Sequence, residues 1–139
     1  MHDTEYQLAR QVLNLANQIV KNRNRHIKEL NLTAEQADSL VFFSAGGKSI
    51  SDLRDHLHIR HQTAQGIVKR MEEKGLLSLS VSAADGRCKT VSLTEKGEET
   101  MACLRRNGTH TGSRLLSGMT PQQQEQFAAL IRQALDNIQ

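Results

Sequence analysis

Aromatic side chains are scarce: three Phe, one Tyr and no Trp in 139 residues. A core must then be assembled from Leu, Ile, Val, Ala and Met, which suits a helical protein with long apolar stripes. Cysteine is equally sparse, and Cys88 and Cys103 make no disulfide framework; they read as reduced thiols. No apolar run reaches the roughly 20 residues that cross a bilayer. The opening Met1-His2-Asp3-Thr4-Glu5 is polar and acidic, unlike a secretory signal, so the expected location is cytoplasmic. There is no internal repeat, low-complexity tract or long linker, and the length suits one domain. No nucleophile–base set, phosphate loop or metal-ligand spacing stands out. An enzyme is therefore the last reading to adopt, and no cofactor or metal is expected.

What is present is organised around residues 49–93. Ile50, Leu53 and Leu57 form the apolar side of a short helix, and His58-Ile59-Arg60 is a tight connection. Ala64, Ile67, Val68 and Met71 then recur at i, i+3, i+4 and i+7, a helix with one buried face. His61, Gln62, Thr63, Gln65, Gly66, Lys69 and Arg70 occupy its other side. Gly75 suits the left-handed residue that ends a helix. Two strands follow, over 77–82 and 90–93, joined by Ala83-Ala84-Asp85-Gly86-Arg87. This is a helix-turn-helix with a β-wing, a shape that sets a polar helix face into a DNA groove.

The net charge is only +3, but it is concentrated. Residues 48–90 hold eight basic and five acidic side chains, and the rest of the chain balances. Basic charge on a helix-turn-helix favours a polyphosphate, because neutralising phosphates releases condensed counterions.

The flanks read as helices. Over 6–30, Leu8, Val12, Leu15 and Ile19 form a stripe with Ala9 and Ala16; a second copy of the chain is one candidate to cover it. Thr33 and Gln36 fit a capping box, with Ala37, Leu40 and Val41 expected inward and Phe42-Phe43 closing the helix. Residues 44–48 read as a glycine-punctuated turn. Thr94 can cap the next helix, whose apolar side includes Met101, Leu104, Leu115 and Leu116; its middle, 107–112, is poor in helix formers, so a kink or break is open. Thr120-Pro121-Gln122-Gln123 starts the last, striped with Phe127, Leu130, Ile131, Ala134 and Ile138. The expected fold is mainly α with a small antiparallel β-wing.

Several segments together resemble the MarR family of transcription regulators over nearly the whole chain. They are Leu32-Thr33-Ala34-Glu35-Gln36, Ile50-Ser51-Asp52-Leu53, the run from Ile67 through Lys69, Arg70 and Gly75 to Leu77, Asp85-Gly86-Arg87 at the hairpin, and Val91-Ser92-Leu93-Thr94-Glu95-Lys96-Gly97. Their joint order and spacing carries the signal. The resemblance implies a single domain, with 32–94 as the winged helix-turn-helix and 1–31 and 95–139 as dimerisation helices. It implies a homodimer on pseudo-palindromic double-stranded DNA, often a repressor relieved by a small-molecule or oxidant signal. Three positions depart from the pattern. Ser78 and Leu79 stand where a charged residue and an Arg are common, and Arg60 stands where a capping Ser or Thr is common.

The candidate DNA-binding residues are Arg60, His61, Gln62, Thr63, Gln65, Lys69, Arg70, Asp85, Arg87 and Lys89. Gln62 and Gln65 suit adenine edges, and Lys69 suits guanine or phosphate. Arg87 at a hairpin tip suits a narrow, electronegative minor groove, with Asp85 fixing the wing by pairing with Arg87 or Arg70. The plain alternative for the helix residues is a solvated face, and for the pair a surface salt bridge worth about 0–1 kcal/mol. His56, His58 and His61 lack a carboxylate or thiol to complete a zinc site, so they read as phosphate contacts or surface. Cys88, between Arg87 and Lys89, is the redox candidate, since cations favour the thiolate; an ordinary exposed strand residue is the preferred reading, and Cys103 reads as packing. Phe42, Phe43, Met101 and Arg105 are candidates for a cleft that takes a small aromatic or phenolic effector, with hinge packing as the equal alternative. Against the DNA reading stands a winged helix used as a protein-interaction module, or a regulator with weak DNA binding.

These assignments separate two variants. In a competition assay, Arg87→Ala weakens binding to all duplexes alike, whereas Gln65→Ala relaxes preference at one base position per half-site, by about 1–3 kcal/mol. Equal behaviour of the two variants contradicts the division.

Overall fold

The computed structural model describes residues 2–81 and 89–139, so the expectations for Asp85, Arg87 and Cys88 fall outside the described residues. The chain forms two compact units, one ending at Asn107 and one comprising residues 108–139. The elements in order are α1 (His2–Glu29), α2 (Ala34–Phe43), β1 (Lys48–Ser49), α3 (Ile50–Leu57), α4 (His61–Glu73), β2 (Leu77–Val81), β3 (Lys89–Leu93), α5 (Glu95–Leu115) and α6 (Pro121–Ile138). The architecture is mainly α with a small antiparallel sheet.

Local chemistry sets most boundaries. Asp3 and Glu5 sit in the first turn of α1, where carboxylates complement the helix dipole, and the helix starts at His2 rather than near residue 6. Asn31, at φ 59°, ends the passage out of α1. Thr33 then caps α2 through a reciprocal box with Gln36, and Thr120 caps α6 with Gln123 in the same way. A third box, Ser49 with Asp52, opens α3. Thr94 accepts from the Gly97 N–H at 3.0 Å at the start of α5. Residues 107–112 are helical despite their poor propensity.

The sheet holds three strands, in the order β1-β3-β2, all antiparallel. Two were expected. Gly46 and Gly47, both at positive φ, turn the chain so that Lys48 and Ser49 run extended beside Val91 and Thr90. A strand of two residues has no periodicity to reveal it. In β2, Leu77 is buried and Leu79 half-buried, while Ser78 and Ser80 face out, the alternation of a strand with one covered face.

The core of the first unit gathers Leu40, Phe43, Leu53, Val68, Met71 and Val91, all fully buried. Val41, expected inward, is 49% exposed. It lies one residue, about 100° of helix rotation, beyond the buried Leu40. Two polar side chains join the interior: Ser39 donates to the Glu35 carbonyl at 2.7 Å, and Gln36 is bonded on both sides. The stripe on α1 stays open, with Leu8, Val12 and Leu15 exposed and only Ile27 of that helix buried. In α6 no side chain is buried, and Leu130, Ile131, Leu135 and Ile138 are exposed.

Among the described glycines, Gly97 makes the tightest approach to a neighbouring backbone. A Cβ there would stand 2.1 Å from the Leu76 carbonyl oxygen, which belongs to backbone and cannot swing aside. Gly112, in contrast, has nothing within 4 Å. Alanine at either position gains up to about 1 kcal/mol of helix propensity. At Gly97 the clash outweighs that gain, so Gly97→Ala should lower unfolding stability by about 1–3 kcal/mol, while Gly112→Ala should raise it by up to about 1 kcal/mol. Urea unfolding of the two variants checks the opposite signs.

Candidate nucleic-acid interface

Helix α4 is held on one side and free on the other. Ala64, Ile67, Val68 and Met71 are buried, which sets the rotation of the helix about its axis. His61, Gln62, Thr63, Gln65, Lys69 and Arg70 are left exposed. Among the described residues none of these six side chains makes a hydrogen bond or ion pair. The face is thus polar, basic and unspent, on a rod of 13 residues, about 20 Å long and of a width that a DNA major groove admits.

Both ends of α4 are defined by backbone. His58 ends α3 in the left-handed region at φ 55°, and the Ile59 N–H reaches back to the Arg54 carbonyl at 3.2 Å. Arg60 occupies the N-cap without a side-chain cap bond, so the first N–H groups of α4 remain available. At the other end, the Gly75 N–H donates to the Glu72 carbonyl at 2.8 Å and the Leu76 N–H to the Met71 carbonyl at 2.9 Å. That pair of bonds is a Schellman closure, made possible by Gly75 at φ 77°.

The surrounding charges are unequal in availability. Arg54 donates from Nε to Asp55 at 2.9 Å. The hydrogen bond raises the Arg54 pKa and, against some desolvation, holds the Asp55 carboxyl below its ordinary value. Arg54 is thereby engaged, whereas Arg60, Lys69 and Lys89 are exposed and unpaired among the described residues. Arg70 folds back over Gly66, where a Cβ would lie 3.5 Å from its Nη2. It also lines a hollow of about 330 Å³ with Ile67, the α2 cap Thr33 and the α2 residues Ala34, Glu35 and Gln36. That distance is ordinary van der Waals contact, so the Arg70 pose does not itself require glycine at position 66. Leu79, where the family pattern has Arg, packs against the core from β2.

The candidate effector residues do not share one cleft. Phe43 is 1% and Met101 8% exposed, both within the core, and Arg105 is exposed. Phe42 alone faces a groove, of about 410 Å³, lined by Asp38, Val41, Ala45, Lys48, His56 and Leu57. There its ring stacks on His56 at 4.5 Å between centroids, with the Lys48 ammonium 5.7 Å from the ring. His56 and Lys48 are the groove residues that sequence reasoning missed. Among the described residues no His, Cys, Asp or Glu cluster is arranged to hold a metal. Cys103 is half-buried and accepts from Arg106 Nη2 at 3.0 Å.

Comparison with known proteins agrees with this geometry. Residues 30–87 match the MarR family model. An uncharacterized HTH-type transcriptional regulator of Bacillus subtilis (strain 168), YybA, is 29% identical over 117 residues, covering 84% of this chain and 78% of its own length. The HTH-type transcriptional regulator Hpr of Geobacillus thermodenitrificans is 34% identical over 104 residues, 74% of this chain, which spans only 52% of that relative. Among solved structures, a complex of S. aureus MepR with DNA superposes with a TM-score of 0.70 at 21% identity, covering 95% of this chain and 94% of that one. At that identity the likeness is one of fold.

Proposed function

The chain belongs to the MarR family of DNA-binding transcription regulators, and from that premise we propose that it acts as a homodimeric, sequence-specific repressor relieved by a chemical signal. The observation that carries this is the unpaired polar face of α4, fixed outward by burial of Ala64, Ile67, Val68 and Met71. Arg60, His61, Gln62, Thr63, Gln65 and Lys69 meet base edges and phosphates together with Arg70 and Lys89, and the sequence assigns Asp85 and Arg87 to the same task. The exposed stripes of α1 and α6 are the surfaces a second copy covers, since contiguous apolar area of this kind marks an interface. On this reading the chain is one functional domain, with 32–94 as the winged helix-turn-helix and the flanking helices as dimer base. Occupying an operator excludes other proteins from it, which is repression.

For the signal, the Phe42 groove fits a flat aromatic or phenolic acid: an aromatic wall of Phe42 and His56, and Lys48 for the carboxylate. Phe43 meets the Phe42 ring edge-on from the core, at 5.4 Å between centroids. Oxidation of Cys88 in the wing is the thiol route to the same release. A second reading, a winged helix serving protein contacts with weak DNA binding, is favoured by the uncharged Ser78 and Leu79 of β2.

One gel-shift series on DNA from upstream of its own gene tests these points. Affinity should fall by at least about a hundredfold between 50 and 200 mM salt, as expected when several phosphates are neutralised. An added hydroxybenzoic acid should loosen the wild-type complex and leave that of Phe42→Ala intact. No binding at low salt defeats the repressor reading, and a flat salt dependence favours the protein-contact reading.

A further inference from the structure

Lys74 is the C-cap of α4, yet its ammonium is turned away from the polar face of that helix. Its Nζ donates to the Asn31 carbonyl at 2.5 Å and to Gln36 Oε1 at 2.8 Å. Asn31 is the left-handed residue of the turn between α1 and α2, and Gln36 is the buried partner in the α2 capping box. The same Gln36 oxygen accepts from the Thr33 N–H at 3.2 Å. One ammonium thus ties the end of α4 to the turn that leaves α1. Around it, Lys96 Nζ donates to the Lys74 carbonyl at 2.9 Å and Thr94 Oγ1 to the Gly75 carbonyl at 2.5 Å, joining the same cap to the start of α5.

From this we infer that Lys74 is a positioning residue: it sets the pose of α4 on α1, and so the separation of the two recognition helices in the dimer. The inference rests on the dimeric DNA-binding reading above. Side-chain burial fixes the rotation of α4 about its axis, and Lys74 adds a direct tie from the C-cap of that helix to the turn that follows α1. A charged strut with two acceptors restrains that end, and hydrogen bonds to charged groups are among the stronger ones in proteins. Because the ammonium is committed to Asn31 and Gln36, it is not a phosphate contact. That separates Lys74 from Lys69, Arg60 and Arg70, which carry their charge on the open face.

The test uses the full chain and a duplex that it selects from a random-sequence library, together with the same duplex with its half-sites moved one base pair closer or farther apart. The wild type should prefer the selected spacing, and Lys74→Met should reduce that preference by about fivefold or more while keeping the wild-type salt slope. Lys74→Arg, which can still bridge two oxygens, should restore the preference. Should Lys74→Met fail to fold, Gln36→Met removes one acceptor and should flatten the preference in part, against Thr33→Ala, which loses the α2 cap but keeps the tie. Unchanged spacing preference in Lys74→Met, or a reduced salt slope marking a phosphate contact, overturns the inference. A wild type that selects no duplex removes the DNA-binding reading itself, and the inference with it.

Discussion

The structure depends on burial along one side of α4. Ala64, Ile67, Val68 and Met71 pack into a core built with Leu40 and Phe43 of α2, Leu53 of α3 and Val91 of β3. Each large side chain so buried is worth about 1.5–3 kcal/mol, which exceeds anything the exposed charges contribute. The helix consequently has one rotation about its axis, and the residues between the apolar positions have one destination. The exposed polar array is the complement of the core stripe and needs no stabilising contacts of its own. The Coulomb energy between its cations is small in water, so the array is kept basic at little expense to stability.

The ends of α4 convert that fixed rotation into a fixed position. A Schellman closure at Gly75 hands the chain directly to β2, whose Leu77 and Leu79 continue the core while Ser78 and Ser80 face out. Leu79, half-buried at that register, packs against the core from the covered face of the sheet. The start of α5 is pressed onto the same junction so closely that only glycine fits at position 97. The C-terminal end of α4, the start of β2 and the start of α5 therefore meet at a few backbone atoms.

Most of this was legible in the sequence wherever the cause is local. The stripe of α4, the capping boxes of Thr33 with Gln36 and Thr120 with Gln123, and the left-handed Gly75 are set by residues within a turn or two of one another. What was not legible depends on distant partners. β1 exists only because Val91 and Thr90 lie beside it. Phe42 and Phe43 are adjacent and alike in sequence, but one enters the core and the other stacks on His56, 14 positions along the chain. Met101 looked as suited to a cleft as to a core, and burial placed it in the core. The Ser49–Asp52 box has the same three-residue spacing as the other two, so its signal too is local.

On the function we propose, two copies of α4 act together on one face of a duplex. Hydroxyl-radical footprinting on the DNA upstream of the gene tests it most directly. The account predicts two protected segments on the same face, centred about one helical turn, or 34–36 Å, apart, with flanking minor-groove protection from the wings. A single short protected segment, or two with no fixed separation, would contradict it.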